Sequence, residues 1–364
     1  MTTVYLHVGM PKCASSALQS FLHRNDKLHR SEGLLYPTTC RENSGYFSHR
    51  PLHQLEPADV PAAVERIAQE AEDADCNRIL LSSEEFVNSL WDRQITGSII
   101  AALNDKFGVG NVRILMLFRN PFPFVESVYA QYLKGGMFRI PDAAFMKSPD
   151  NDIVGLVQNF RDQNGFDFFS YSAFIERIRL QAPENPFDLL STERSDWGGE
   201  DVLDVLCRKL GISRGDPAVS ANERYSEAAL FLLHHSRRAF GFQRTKKRRD
   251  IVSKLFPGKT RRFSKLLHVH GALFDRIAES VLRDRDYFRA MTNEPSTGLF
   301  SIPQSYLDQR DMDDQLTVPK WWLRLIDQVI TSDEMNIGLA RELKAEMRRK
   351  VVEAREARRD GKPQ

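Results

Sequence analysis

The chain has few cysteines, no long apolar run, no Walker A lysine and almost no net charge. Its four cysteines, Cys13, Cys40, Cys76 and Cys207, form no CxxC pair and have no histidine at zinc spacing. That excludes a zinc-ribbon or disulfide framework and reads as reduced thiols in a cytosol-like compartment. No apolar run approaches the ~18–20 residues that cross a bilayer, and no signal-like segment precedes Val4, so a cytoplasmic protein is expected. A formal charge of +2 over 364 residues gives the whole chain no preference for polyanions. The apolar share of 41% and charged share of 27% are those of an ordinary globular protein. No internal repeat is visible.

What is present is an alternation of short apolar runs and helical periods. "TVYLHV" (3–8) stops at Gly9 and reads as a buried strand. "SSALQSFLHRNDKL" (15–28) then places Leu18, Phe21, Leu22 and Leu28 on one helical face. Residues 33–60 read as a long loop and 58–75 as a helix. "NRILLS" (77–82) reads as a second strand and "NVRILMLF" (111–118) as a third. A helix is expected at 94–107 between those two strands. Pro121 and Pro123 are expected to delay the next helix to about 124–134, and "NPFDLLS" (185–191) is a weaker fourth strand. The order predicts an α/β fold with a P-loop-like central parallel sheet flanked by helices. Beyond about residue 200 the pattern becomes helical. The expected division is a core over 1–235 and a helical, basic extension over 236–364.

The stretch after the first strand, "HVGMPKCASSALQSFL" (7–22), has the form of an anion site. The first N–H groups of a helix have no intrahelical partner, and the helix dipole adds positive charge there. The small residues Cys13, Ala14, Ser15, Ser16 and Ala17 let an anion approach the backbone. Ser15 or Ser16 would add a hydroxyl, and Lys12 a full charge. The lysine precedes the small residues, whereas in GxxxxGK[ST] it follows the glycine-rich arch and is itself followed by a hydroxyl for magnesium. A magnesium-dependent NTPase is therefore disfavoured.

A second segment, "RNPFPFVES" (119–127), follows the third strand. Arg119 leaves the carboxyl end of a buried strand, where open α/β sheets bind ligands, and Ser127 follows within the next helix. Arginine and serine together suit one phosphate.

Taken together, "PKCASSAL" (11–18) and "RNPFPFVES" resemble the two cofactor segments of PAPS-dependent sulfotransferases, PAPS being 3'-phosphoadenosine 5'-phosphosulfate. "NERYSEAALFLLHHS" (222–236) resembles a helical segment of bacterial members. The resemblance spans roughly residues 3–235. It implies that the first loop, through Lys12 and the backbone of Cys13 to Ala17, holds the 5'-phosphosulfate. It implies that Arg119 and Ser127 hold the 3'-phosphate, that the product is PAP, and that no metal takes part. The chain departs at Cys13 and Ala14, where the family usually has Ser/Thr and Gly. Ala14 then needs a right-handed backbone or mild strain. The late Arg-Lys-Gly clamp of cytosolic eukaryotic members is absent.

A hydroxyl acceptor must lose a proton, and "ILLSSEEF" offers Glu84 and Glu85 just after the second strand. Glu84 is the preferred base, with Glu85, His49 and His53 as alternatives. The expected acceptor is a small molecule or oligosaccharide, bearing a hydroxyl or amine. Residues 237–265 hold twelve Lys/Arg against one Asp, a local positive field for a polyanionic acceptor, the cofactor, nucleic acid or a membrane surface. "VPKWWLRLIDQVI" (318–330) reads as a core or docking helix. The competing readings are an ATP-dependent P-loop kinase and a non-catalytic anion- or nucleic-acid-binding protein.

Overall fold

The computed structural model describes residues 1–88, 95–147, 151–216, 225–257, 265–311, 313 and 318–360. Five strands form one parallel sheet: β1 (Thr3–Val8), β2 (Leu34–Leu35), β3 (Arg78–Ser83), β4 (Val112–Phe118) and β5 (Phe187–Ser191), in the order β2-β3-β1-β4-β5. β1 is central, with Leu6 opposite both Leu81 of β3 and Ile114 of β4. Near-continuous burial along β1, β3 and β4 shows why these strands read as apolar runs rather than alternations: helices cover both faces of the sheet. The fold is α/β with a mainly helical second half, as the sequence predicts.

Two local expectations change. Residues 33–60 are not all loop, because Leu34 and Leu35 pair with Arg78 and Ile79 as a short edge strand. The two prolines do not delay the helix after β4, which runs Pro121–Gly135. Proline is tolerated in a first turn because the N–H it lacks would be unpaired there. The Asn120 side chain caps this helix, its Oδ1 accepting from Phe122 N at 3.2 Å.

The chain forms two units. The first comprises Met1–Phe124, Asn164–Glu223 and Phe274–Gln304 and holds the sheet. The second comprises Val125–Gln163, Arg224–Leu273 and Ser305–Gln364. The boundary read from the sequence at 235/236 falls within the helix Glu227–Phe240, which lies wholly in the second unit.

Four helices of the second unit, Glu227–Phe240, Phe242–Leu255, Lys320–Thr331 and Ile337–Asp360, share an apolar core that includes Leu232, Val252, Leu325 and Val329. Trp321 and Trp322 pack against that core, Trp322 with its ring centroid 4.5 Å from that of Phe256. His268 is buried between Glu126 at 2.8 Å and Glu227 at 3.5 Å.

Much of the basic segment is spent inside this unit. Arg237 is buried and donates to Asp142 and to the Tyr132 carbonyl. Arg248 donates to the carbonyls of Ser332, Asp333 and Met335 at 2.8–3.1 Å, and Arg244 to that of Thr331 at 3.4 Å. Both therefore satisfy carbonyls at or just beyond a helix C-terminus, where cations are favoured. Arg249 donates to the Lys134 carbonyl at 3.1 Å. The part of the segment over 258–264 lies outside the described residues.

Candidate active site

Parallel pairing brings the ends of β1, β3 and β4 to one edge of the sheet, and Lys12, Glu84 and Arg119 each follow one of these strands. The crevice beside β1, where the chain proceeds to either side, is the place such sheets bind ligands.

Gly9 starts the turn, its N–H donating to Ser83 O at 3.0 Å. A Cβ on Gly9 would stand 2.7 Å from Ser15 Oγ and 3.3 Å from both Ser83 O and His7 Cε1. Glycine lets turn, helix and sheet come this close without displacing the Ser15 hydroxyl. Cys13 N then donates to Met10 O at 3.3 Å. Lys12 and Ala14 both take left-handed backbone, with φ of 63° and 66°. Of the two states open to Ala14, the strained one is found, at a cost of about 1–2 kcal/mol for a residue bearing a Cβ. Left-handed residues in a turn of this kind let successive N–H groups converge on an anion. The helix α1 (Ser15–Arg24) begins at once, and its N-cap, Ala14, supplies no side-chain acceptor. The first-turn N–H groups of Ser15, Ser16 and Ala17 thus have no capping side chain.

The side chains around this turn are charged and partly enclosed. Burial holds the Lys12 amine below the usual lysine range; the neighbouring Glu84 opposes that effect and Arg119 adds to it. Burial pushes the Glu84 carboxyl up to about 7, against the pull of Lys12 and a hydrogen bond with the Ser15 side chain; Glu85 raises it further. Ser15 is itself buried, its hydroxyl 3.3 Å from Met10 O, whereas Ser16 is half-buried on the next position. Cys13 is buried, and burial pushes its thiol up to about 12. It is a small packing group, not a reactive thiolate.

Arg119 has a firmly held main chain. Its backbone hydrogen-bonds the Cys13 sulfur, its carbonyl accepts from the Tyr171 hydroxyl, and the next N–H, of Asn120, donates to Glu193 Oε1 at 2.9 Å. The Asn120 amide donates to the carbonyls of Gly298 and Ser301 at 3.1 and 2.8 Å. Ser127 lies farther along the same helix, half-buried, and falls in the second unit.

The other candidate bases are placed differently. Glu85 opens the short helix Glu85–Asn88 and lies 4.0 Å from Arg50. His49 is fully buried rather than exposed on its loop. Its Nδ1 accepts from Ser82 N at 3.2 Å and its Nε2 is 3.1 Å from Pro37 O, so both ring nitrogens are engaged. Burial pulls its pKa down to about 3. His53 is buried as well.

Two groups escaped sequence reasoning. His7, Ser82 and Gln19 form a buried cluster beneath the turn, with His7 Nδ1 2.7 Å from Ser82 Oγ and Gln19 Nε2 donating to that oxygen at 3.0 Å. The one clue was a histidine inside an otherwise apolar strand. Glu193 and Tyr171, which fix the Arg119 backbone, lie far along the chain and match no motif. Among the described residues, no group of His, Cys, Asp and Glu is arranged to hold a metal ion, and no helix is long and apolar enough to cross a membrane.

No family and no curated protein matches the sequence. Among solved structures, the chain is similar to a sulfotransferase from Alicyclobacillus acidocaldarius at 14% identity. That similarity covers 61% of this chain and 86% of the other, with a TM-score of 0.32. A likeness of that degree carries no functional conclusion.

Proposed function

We propose that this chain is a sulfotransferase that takes a sulfuryl group from PAPS and passes it to a hydroxyl or amine of a carbohydrate or glycosylated small molecule. The observation that carries the reading is the proximity of Lys12 and Arg119 at the uncapped N-terminus of α1, with Glu84 beside Lys12. A lysine whose proton affinity is lowered by burial and by the neighbouring Arg119, next to helix N–H groups that no side chain caps, makes a place for a multiply charged anion.

The residues fit the phosphosulfate end of PAPS. Gly9 leaves room where a Cβ would fill the turn, and the Lys12–Ala14 backbone is already bent into an anion-binding form. Bound PAPS would supply a sulfuryl group, whose transfer joins sulfur to the acceptor oxygen or nitrogen and leaves the electron pair of the broken bond on a phosphate oxygen of PAP. Lys12 and the first-turn N–H groups of Ser15, Ser16 and Ala17 would hold that growing negative charge. Cys13 and Ala14 contribute backbone only. Glu84, with its pKa near 7, would accept the acceptor's proton. Arg119 is assigned to the 3'-phosphate, and the sequence pattern alone supplies Ser127 as its second donor.

The test is calorimetric titration of the protein and Arg119→Ala with PAP and ADP, with and without magnesium. Charge-assisted hydrogen bonds contribute roughly 1.5–3 kcal/mol each, so a preference for PAP of at least about a hundredfold is expected. Arg119→Ala should remove most of it by weakening PAP while ADP changes little. Equal affinities in the unaltered protein would end the reading, and stronger nucleotide binding with magnesium would favour a kinase.

A further inference from the structure

The second unit carries a groove of about 830 Å³ between the end of the Phe242–Leu255 helix and one side of the Ile337–Asp360 helix. Leu255, Ala345 and Val352 give it apolar walls, and Lys254, Arg341, Lys344 and Arg348 line the same space.

The charge pattern on the long helix is divided. Lys350 pairs with Glu346 at 2.5 Å and Arg349 lies 3.7 Å from Glu353, both at i,i+4 spacing. Arg341, Lys344 and Arg348 stand at i, i+3 and i+7 on the groove side. Neighbours at those spacings face each other, and like charges there repel. No ion pair is found among the described residues for these three or for Lys254. Lys344 is held at the groove by donating to the Leu255 carbonyl and lies 4.4 Å over the Phe256 ring. Burial lowers its proton affinity and Arg348 lowers it further, so positive charge is crowded at this end of the groove. Arg349, Glu353 and Glu356 also line the groove, which leaves five cations there against two carboxylates.

We infer that this groove binds a single-chain amphiphile with an anionic head, such as a fatty carboxylate, its head among Arg341, Lys344 and Arg348 and its chain along Leu255, Ala345 and Val352. The volume and the mixture of apolar walls with a few charged groups are those of a small-ligand site. An anion relieves the crowding of like charge, and the apolar walls gain by leaving water. A purely polyanionic ligand would use the cations and leave the walls wet. A membrane surface would not require a concave site. The inference is independent of the reaction proposed above, because every residue in it belongs to the second unit.

The test is calorimetric titration of the full chain with dodecanoate below its micelle concentration. Inorganic phosphate, a neutral dodecyl maltoside, a heparin-type polyanion and anionic phospholipid vesicles serve as comparisons. Dodecanoate is expected to bind at one site. Arg348→Glu should weaken it at least tenfold, and Ala345→Trp, which fills the groove, should abolish it. Both positions are exposed on a helix, so both variants should melt close to the unaltered protein, and circular dichroism checks this. Binding that survives both substitutions overturns the proposal. So does equal binding of the neutral amphiphile, stronger binding of the polyanion, or binding to vesicles with none to monomeric dodecanoate.

Discussion

The Glu84 carboxyl and the Lys12 amine are neighbours whose titrations are shifted toward each other: burial moves the acid up to about 7 and the base below its ordinary value. Each opposes the loss of charge that burial imposes on the other, and an arriving anion would compete for the same lysine.

Glu84→Gln preserves shape and hydrogen bonding but cannot take a proton. PAP release from PAPS, with water or a panel of hydroxyl compounds as acceptor, should fall about 10²–10⁴-fold. PAP affinity should stay within a few-fold. In the unaltered protein kcat/KM should rise with pH through about 7 as Glu84 deprotonates, and that limb should vanish in the variant. A retained limb would assign the titration to another group.

Stability should fall with rising pH in two windows that overlap near neutrality. The folded chain keeps the Glu84 proton between 4.5, its ordinary value, and about 7, whereas the unfolded chain releases it, so folding weakens across that interval. For His268, burial opposes the charge, and Glu126 and Glu227 overcome it, holding the pKa up to about 9. Its contribution is complete below 6.5 and is lost as pH rises through about 9. Denaturant titrations at several pH values should show Glu84→Gln flattening the first interval and His268→Gln the second, whatever constant offset each carries. Unchanged slopes would contradict these assignments.

Lys12→Ala should lower PAP release about 10²–10³-fold, the usual effect of removing one donor to a developing oxyanion. PAP affinity should drop only about tenfold, because the backbone cradle and Arg119 remain. Equal losses in affinity and turnover would make Lys12 a binding group without a part in the reaction.

Ala14→Gly should stabilise the protein by about 0.5–1 kcal/mol, since relief of a left-handed alanine outweighs the added freedom of glycine in the unfolded chain. Ala14→Val should destabilise it. A lower melting temperature for the glycine variant would mean that position 14 carries no backbone strain.

Four of the five strands were legible because β1, β3, β4 and β5 are short apolar runs, whereas their order in the sheet was not. β2 was not, because two leucines at a sheet edge carry no period. The loop of β1 could be read down to the departure at Ala14, and the clustering of Lys12, Glu84 and Arg119 follows once the strands are parallel. The burial of His49 was hidden, since its partners, Ser82 N and Pro37 O, are main-chain groups that leave no trace in residue type. The unit boundary was hidden too. The chain passes between the units five times, and the first passage falls within one continuous helix, after Phe124, with no change in composition to mark it.

The first unit is assembled from three stretches of chain, and this sets the order in which it can be completed during synthesis. Asn120 waits for the carbonyls of Gly298 and Ser301, and Asp196 for the N–H groups of Gly298 and Leu299. Tyr171 N waits for the carboxylate of Asp284. All five strands leave the ribosome well before residues 284–301. A nascent chain that already has its whole sheet therefore still lacks partners for these polar groups, and such contacts between distant parts of the sequence close slowly. The segment that restrains Asn120, next to Arg119, is thus the last part of its unit to be made.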